Sequence, residues 1–338
     1  MTESSTQTLS LEETRALAKS ILETAGMDDH NSNIIADLVT MSERDGPRSH
    51  GLRMLPTYAQ SVTSGYANGA ARPSVERVAP SVLRGDGDNG YYQIASDLAR
   101  PTLIETARET GIAGFTCANC HHLAALRFET EALAKEGLIA ISVVNSLKLI
   151  VPHGGDKPIF GTNPMSFASP REGGEPIVWD QASSVVALMD IRLAAAEGHD
   201  LPVPGGLNPD GDVTSNASDI LETYSLLPFA EHKGTGIAMM VEILAAALAG
   251  GTPSTQTDHK DSFGALNVKP GVTTIAIDPA KWGNPMFLQQ VGDMARQIDA
   301  MPGARVPGDG RFKKRDTAAQ SGITLRSDLL TQLRQMTE

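Results

Sequence analysis

Four polar stretches interrupt an otherwise aliphatic sequence: SHG at 49–51, NCHHLAAL at 119–126, VPHGGDKPIFGTNP at 151–164 and EHKGTG at 231–236. Five of the eight histidines (His50, His121, His122, His153 and His232) fall in these Gly- or Asn-rich junctions rather than inside periodic runs. Imidazole titrates near neutrality, so histidines gathered at turns suit proton transfer or the holding of an anion. The adjacent glycines let backbone N–H groups approach a phosphate closely. His232 and Lys233 stand just before a long apolar run, where a helix N-terminus favours negative charge.

The elements that must position these residues follow from periodicity. Ser10 and Glu13 have capping-box spacing, and Leu11, Ala16, Leu17, Ile21 and Leu22 recur behind them at helical intervals. A second helix is expected from about Ser32, with Ile35, Leu38 and Val39 on one face, ended by Gly46 and Pro47. A third carries Leu52, Leu55, Tyr58, Ala59 and Val62, which puts Ser49 and His50 at a helix-to-helix corner. After residue 72, β-branched runs at 111–119, 138–145, 176–179 and 272–277 alternate with helical stretches at 95–110, 124–136 and 235–249. From Pro285 the pattern is helical again, around a basic RVPGDGRFKKR, and 202–218 and 252–269 are the longest expected loops.

Three motifs resemble sites without the chemistry to be them. GDGDNG at 85–90 matches GxGxxG, but two aspartates would repel a pyrophosphate and no acidic residue ends the next run, so a surface turn is expected. CANCH at 117–121 matches a haem-attachment pattern; without an export signal, and with histidines in place of a helix start, Cys117 and Cys120 are expected to be small, semi-buried residues at a strand end. NPDGD at 208–212 lacks the remaining ligands of a calcium loop and reads as a plain turn, and no metal site is expected anywhere.

Composition narrows the partners. A net charge of -12 over 338 residues disfavours nucleic acid and anionic membranes. No run of roughly 18 apolar residues occurs, and the first twenty residues lack a secretory pattern, so a cytoplasmic protein is expected. With 41% hydrophobic but only 4% aromatic residues, its core is aliphatic.

In this order, SHG before a short helix, HHxAAL after a strand, VNS then VPHG, FGTNP, Asp180 followed by a small-residue and serine run, HKG opening an apolar helix, and a basic PGD segment resemble the type 2 malate/L-lactate dehydrogenase family. The resemblance spans essentially the whole chain. NCHHLAAL, VVNSLKLIVPHGG and GGEPIVWD look most like the Δ1-piperideine-2-carboxylate/Δ1-pyrroline-2-carboxylate reductases of that family. It implies an α/β (α+β) protein of non-Rossmann fold, a homodimer. Residues 1–72 with 283–338 would form a helical domain, and 73–282 a central mixed-sheet α/β cofactor-binding domain. NADP is the implied cofactor, with NAD the alternative. His121, His122, Leu123, Ala124, Ala125, Thr162, Ser183, His232 and Lys233 would line its pocket, and Arg305 and Arg311 would engage a 2′-phosphate.

The implied reaction is reduction of a small cyclic imino acid, Δ1-piperideine-2-carboxylate or Δ1-pyrroline-2-carboxylate, to L-pipecolate or L-proline. The rivals are an NAD(P)-dependent 2-hydroxy-acid dehydrogenase (malate, lactate or ureidoglycolate) and a cofactor-binding protein without catalysis. Hydride added to C=N or C=O leaves charge on the heteroatom, so a proton donor must stand within reach. His50 takes that role by resemblance. The helix start that follows it opposes a cation, so a carboxylate partner is expected, Asp180 by the family pattern, with Ser49 orienting the ring. By the same resemblance Thr162 would also contact substrate. The chain departs from the reductases at Met54, where they carry the arginine that clamps the substrate carboxylate. Arg53, one residue earlier and about 100° away on a helix, is expected to hold the substrate from a shifted helix start, with Arg48 or Lys148 as alternatives.

Overall fold

The computed structural model describes residues 5–46, 50–122, 124–257 and 269–337. Strand β1 (Thr6–Leu9) pairs antiparallel with β11 (Ile323–Arg326), Leu9 opposite Ile323. Helix α1 (Leu11–Thr24) starts in the expected capping box: Ser10 Oγ accepts the Glu13 N–H at 3.0 Å, and Glu13 Oε2 accepts the Ser10 N–H at 2.8 Å. Helix α2 (Asp29–Asp45) begins three residues before the expected start because Asp28 caps it, and ends at Gly46 in the left-handed region (φ 99). A 3-10 turn, Leu52–Met54, leads into α3 (Leu55–Thr63). Ile21, Leu22, Ile35, Val39, Leu52 and Leu55 share one apolar core with Leu330 and Leu333 of α11 (Ser327–Gln335), so both ends of the chain meet there.

The central sheet has seven strands: β2 (Ser74–Ala79), β3 (Val82–Tyr91), β4 (Ile112–His121), β5 (Ile139–Val144), β6 (Met165–Ser169), β7 (Ile177–Gln181) and β10 (Val272–Ile277). Their order is β2-β3-β4-β10-β5-β6-β7, and only β3 and β4, joined through α4 (Tyr92–Thr110), are parallel. A doubly wound nucleotide fold needs successive parallel crossovers, so this mixed sheet is of the expected non-Rossmann type. Helices α4 and α5 (Arg127–Lys135) cover one face, and α8 (His232–Glu242) with its π-helical continuation Ile243–Leu248 covers the other. Strand alternation decides the sides: Val144 faces the first layer and Val143 the second.

Several expectations are corrected. GDGDNG is not a surface turn but the second half of β3, where Asp88 (φ 51) and Asn89 (φ 56) form a bulge. A Cβ on Gly87 would lie 2.4 Å from Cys120 Cβ and one on Gly90 2.3 Å from Ala71 Cβ, so close packing explains those glycines. Cys117 and Cys120 lie within β4, fully buried. The expected loop at 202–218 contains a small hairpin, β8 (Gly206–Leu207) and β9 (Val213–Thr214), whose turn is NPDGD. It packs near α6 (Leu188–Glu197) and α7 (Ala217–Thr223), whose Ile191 and Ile220 share a core. The C-terminal stretch is shared out: α11 joins the helical core, while α9 (Phe287–Asp299) and one side of α10 (Asp309–Ser321) reach the sheet. The inner stripe of α9 buries Ala295 against Ile177 of β7, and α10 sets Phe312 on Val178.

Candidate active site

His50 follows residues 47–49, so Arg48 and Ser49, like Leu123, lie outside the described residues. The glycine after it leaves room for Glu43: a Cβ on Gly51 would sit 2.3 Å from Glu43 Oε1 and displace the carboxylate that accepts the Leu52 N–H at 2.8 Å. On the turn that follows, Met54 is buried in the helical core and Arg53 is exposed. The position at which the reductases carry arginine is thus an apolar core contact here. The His50 ring is packed closely enough that burial, reinforced by the charges of His122 and Arg127, pulls its pKa down to about 4.

His121 and His122 end β4 and diverge. The His121 ring packs on Tyr66 and meets Asn89 Oδ1 at 3.1 Å, toward the β3 bulge rather than toward His50. His122, 7% exposed, stacks on Tyr92 and faces Glu129 Oε1 at 3.6 Å. Glu129 Oε2 has no hydrogen-bond partner among the described residues. Asp180, at the end of β7, accepts the Arg127 N–H at 2.9 Å. Burial raises its pKa, and Glu129 adds to that, while the Arg127 N–H, the Arg127 charge and His122 work the other way. No hydrogen bond or ion pair among the described residues joins His50 to Asp180, and burial of the ring works against the expected imidazolium. Asp180 instead accepts the Arg127 N–H, with His122 nearby.

Sequence reading missed the ion network behind this cluster. Arg127, 2% exposed, donates to Asp45 Oδ2 at 2.6 Å and lies over the Phe128 ring. Arg315 grips both Asp45 oxygens, at 2.8 and 2.7 Å, and also Glu131. Burial works to raise the Asp45 pKa, but Arg315, Arg127 and Arg44 together hold it at about 2. Arg311 donates to the Val178 carbonyl at 2.6 Å beside Asp180, while Arg305 is exposed in the turn before α10. The partners are 82 and 270 residues apart in sequence, so no local spacing could reveal them.

A second cluster continues along the same edge of the sheet. Ser183 N–H donates to the Thr162 carbonyl at 2.7 Å and Ser183 Oγ to the Asn163 carbonyl at 2.8 Å. Thr162 Oγ1 is 3.0 Å from Ser146 Oγ, near Lys148, whose own N–H is bound by Thr257. Phe229 N–H donates to the Ser183 carbonyl at 3.0 Å and carries the chain into α8, where His232 and Lys233 are exposed in the first turn. No side chain caps α8, and its entry is strained, with Ala230 at φ 45 and Glu231 at φ 57. Ala124 (φ 58) and Asn163 (φ 37) are similarly left-handed. Non-glycine residues held at positive φ cost of order 1–3 kcal/mol each and gather where a ligand is gripped. Uncapped N–H groups, a lysine and the strained loops fit the phosphates of a dinucleotide.

The comparisons agree with this geometry. The malate/L-lactate dehydrogenase family model matches residues 9–334. The Δ1-pyrroline-2-carboxylate/Δ1-piperideine-2-carboxylate reductase of Pseudomonas syringae pv. tomato is 39% identical over 331 residues, covering 98% of this chain and 96% of its own. A crystal structure of Δ1-piperideine-2-carboxylate reductase from Pseudomonas syringae pv. tomato superposes with TM-score 0.94 at 39% identity, covering 98% of this chain and 99% of that one. A more distant relative, the (2R)-3-sulfolactate dehydrogenase (NADP(+)) of Chromohalobacter salexigens, is 33% identical over 315 residues, 93% of each chain. With its mixed sheet, its histidine-lined edge and this likeness from end to end, the chain belongs to the malate/L-lactate dehydrogenase family and is an oxidoreductase.

Proposed function

We propose that the protein reduces small cyclic 2-imino acids, Δ1-pyrroline-2-carboxylate or Δ1-piperideine-2-carboxylate, to L-proline or L-pipecolate with NADPH, NADH being the alternative. The observation that carries the substrate class is the 39% identity, along 98% of the chain, to a reductase of both imines. A nicotinamide dinucleotide, when bound, supplies the hydride. Lys233, His232 and the α8 N-terminus hold its phosphates, and Ala124, Ala125, His122 and Ser183 flank it; Arg311 and Arg305 favour a 2′-phosphate.

The charge state of His50 supports C=N over C=O. With a pKa of about 4 the ring is neutral at neutral pH and accepts a hydrogen bond. An imine nitrogen arrives already protonated, so its N–H can donate to His50 and reduction at carbon needs no further proton in that step. Reduction of a 2-oxo acid would instead draw a proton to oxygen, for which the protonated ring, scarce at neutral pH, is the better donor. The Thr162 hydroxyl faces the same edge, and Arg127 and Arg311 supply positive potential for the carboxylate without the arginine that Met54 replaces. Asp180 orients this group through Arg127 and His122 rather than through His50. The active form in this reading is a homodimer, which the exposed apolar row Met239, Ile243 and Leu248 supports.

The same neutral ring would serve as a base for oxidising a 2-hydroxy acid, which keeps that dehydrogenase as the second reading. Spectrophotometric assay of NADPH and NADH consumption with the two imines, beside NAD(P) reduction with malate, lactate, ureidoglycolate and 3-sulfolactate, separates them. Turnover of an imine is expected; turnover of hydroxy acids alone overturns the proposal.

A further inference from the structure

Glu242 is the last α-helical residue of α8, and the helix passes into π-helical turns directly after it. Such irregularities mark sites where a helix is bent to a local task. The half-buried carboxylate faces three donors: Oε1 accepts the Ser254 N–H at 2.7 Å, and Oε2 accepts Asn163 Nδ2 at 2.8 Å and Ser254 Oγ at 2.7 Å. Asn163 is fully buried and left-handed at φ 37, and its amide is anchored in three directions, to Glu242, to the Ala238 carbonyl (2.9 Å) and to the Ser146 N–H (3.3 Å). Its carbonyl and that of Thr162 hold Ser183. Ser146 Oγ in turn accepts the Thr162 N–H at 2.9 Å, and Ser254 Oγ also lies 2.7 Å from the Ser146 carbonyl, so its single proton is shared between that carbonyl and Glu242 Oε2.

We propose that Glu242 is a positioning residue for the substrate end of the site: its carboxylate holds Asn163 in the conformation that sets Thr162 and Ser183, and so ties substrate seating to the helix whose first residues are His232 and Lys233. This rests on the family reaction and on Thr162 contacting substrate. Asn163 lacks a backbone reason to stay left-handed; side-chain bonds keep it there, and the one to Glu242 is charge-assisted. Removing the carboxylate strands the Ser254 N–H and one Asn163 N–H among buried groups. The link runs the length of α8, about 16 Å at 1.5 Å per residue.

The full-length protein is compared with its Glu242→Gln variant by NADPH fluorescence titration, steady-state kinetics on Δ1-pyrroline-2-carboxylate, and thermal unfolding. Glutamine is isosteric, but one amide orientation sets its NH2 against the Ser254 N–H and the other against Asn163 Nδ2. The expected result is a fall in kcat/KM of ~10–100-fold with the NADPH Kd within ~2-fold of wild type. Wild-type kcat/KM in the variant, or a parallel loss of NADPH affinity, kcat/KM and thermal stability, overturns the proposal. Should Glu242→Gln not fold, Asn163→Gly, which accepts positive φ cheaply, is held to the same two outcomes. If the wild-type protein is inert on imines, the substrate reading falls by itself, and the same ratios are read with whichever 2-hydroxy or 2-oxo acid it turns over.

Discussion

At the scale of single residues, the site is an exercise in keeping charges off one imidazole. His50 sits with His122 and Arg127 in a partly dehydrated corner, and its folded pKa of about 4 lies below the unfolded value of 6.5. A depressed pKa contributes stability that is present above the unfolded value and is lost as pH falls through the folded one. Unfolding by urea between pH 7 and pH 4 should therefore show a loss of at most ~3 kcal/mol that His50→Gln lacks. Parallel profiles for the two proteins would sink this assignment of the charge state. The sequence singles out residues 50, 122, 162, 183, 232 and 233 as candidates, because histidines, glycines and hydroxyls in turns are conspicuous against an aliphatic background. It does not show Arg127, Asp45 or Arg315. A salt bridge between residues 270 positions apart leaves no trace in spacing, and an arginine in an amphipathic helix reads as surface. That Asp180 meets the Arg127 N–H is hidden from spacing for the same reason: which partner a carboxylate finds is decided by packing.

At the scale of elements, helix α8 does most of the positioning. Gly234 lies in its first turn, and a Cβ there would fall 2.0 Å from the Phe229 carbonyl, a backbone atom with no room to move. Gly234→Ala should displace the N-terminal turn that carries His232 and Lys233 and raise the NADPH Kd at least ~10-fold, the loss of roughly one good ionic contact. Equilibrium titration checks this, and an unchanged Kd would mean that the phosphates are held elsewhere. Strands β4, β5 and β10 and helices α1, α4 and α8 were legible to within a few residues because their patterns are long or strongly β-branched. The bulged half of β3 was not, since GDGDNG has the composition of a turn; its glycines answer to neighbouring strands, which a local window does not contain. Four-residue strands such as β1 and β11 are too short to show a period.

At the scale of the whole molecule, a helical core built from both ends of the chain is fastened to a body of one sheet between two helical layers. The pairing of β1 with β11 covers Leu9, Ile323 and Leu325, all under 9% exposed. Deleting residues 1–9 removes one strand of that pair and should cost ~2–4 kcal/mol in urea unfolding, the scale of losing a buried leucine and its contacts. NADPH binding on the distant sheet edge should persist; loss of binding without loss of stability would contradict this division of labour. That sheet edge, with one parallel pair among seven strands, was foreseen only in kind, as non-Rossmann.

The clasp between β1 and β11 also constrains the order of assembly on the ribosome. The strand made first can close only on one made more than three hundred residues later. The sheet, complete once β10 has emerged, can be finished while the earliest helices still wait for their partners. Until then their greasy faces are customers for chaperones, and translation that stalls near the end would strand a finished sheet beside a helical core that is still open.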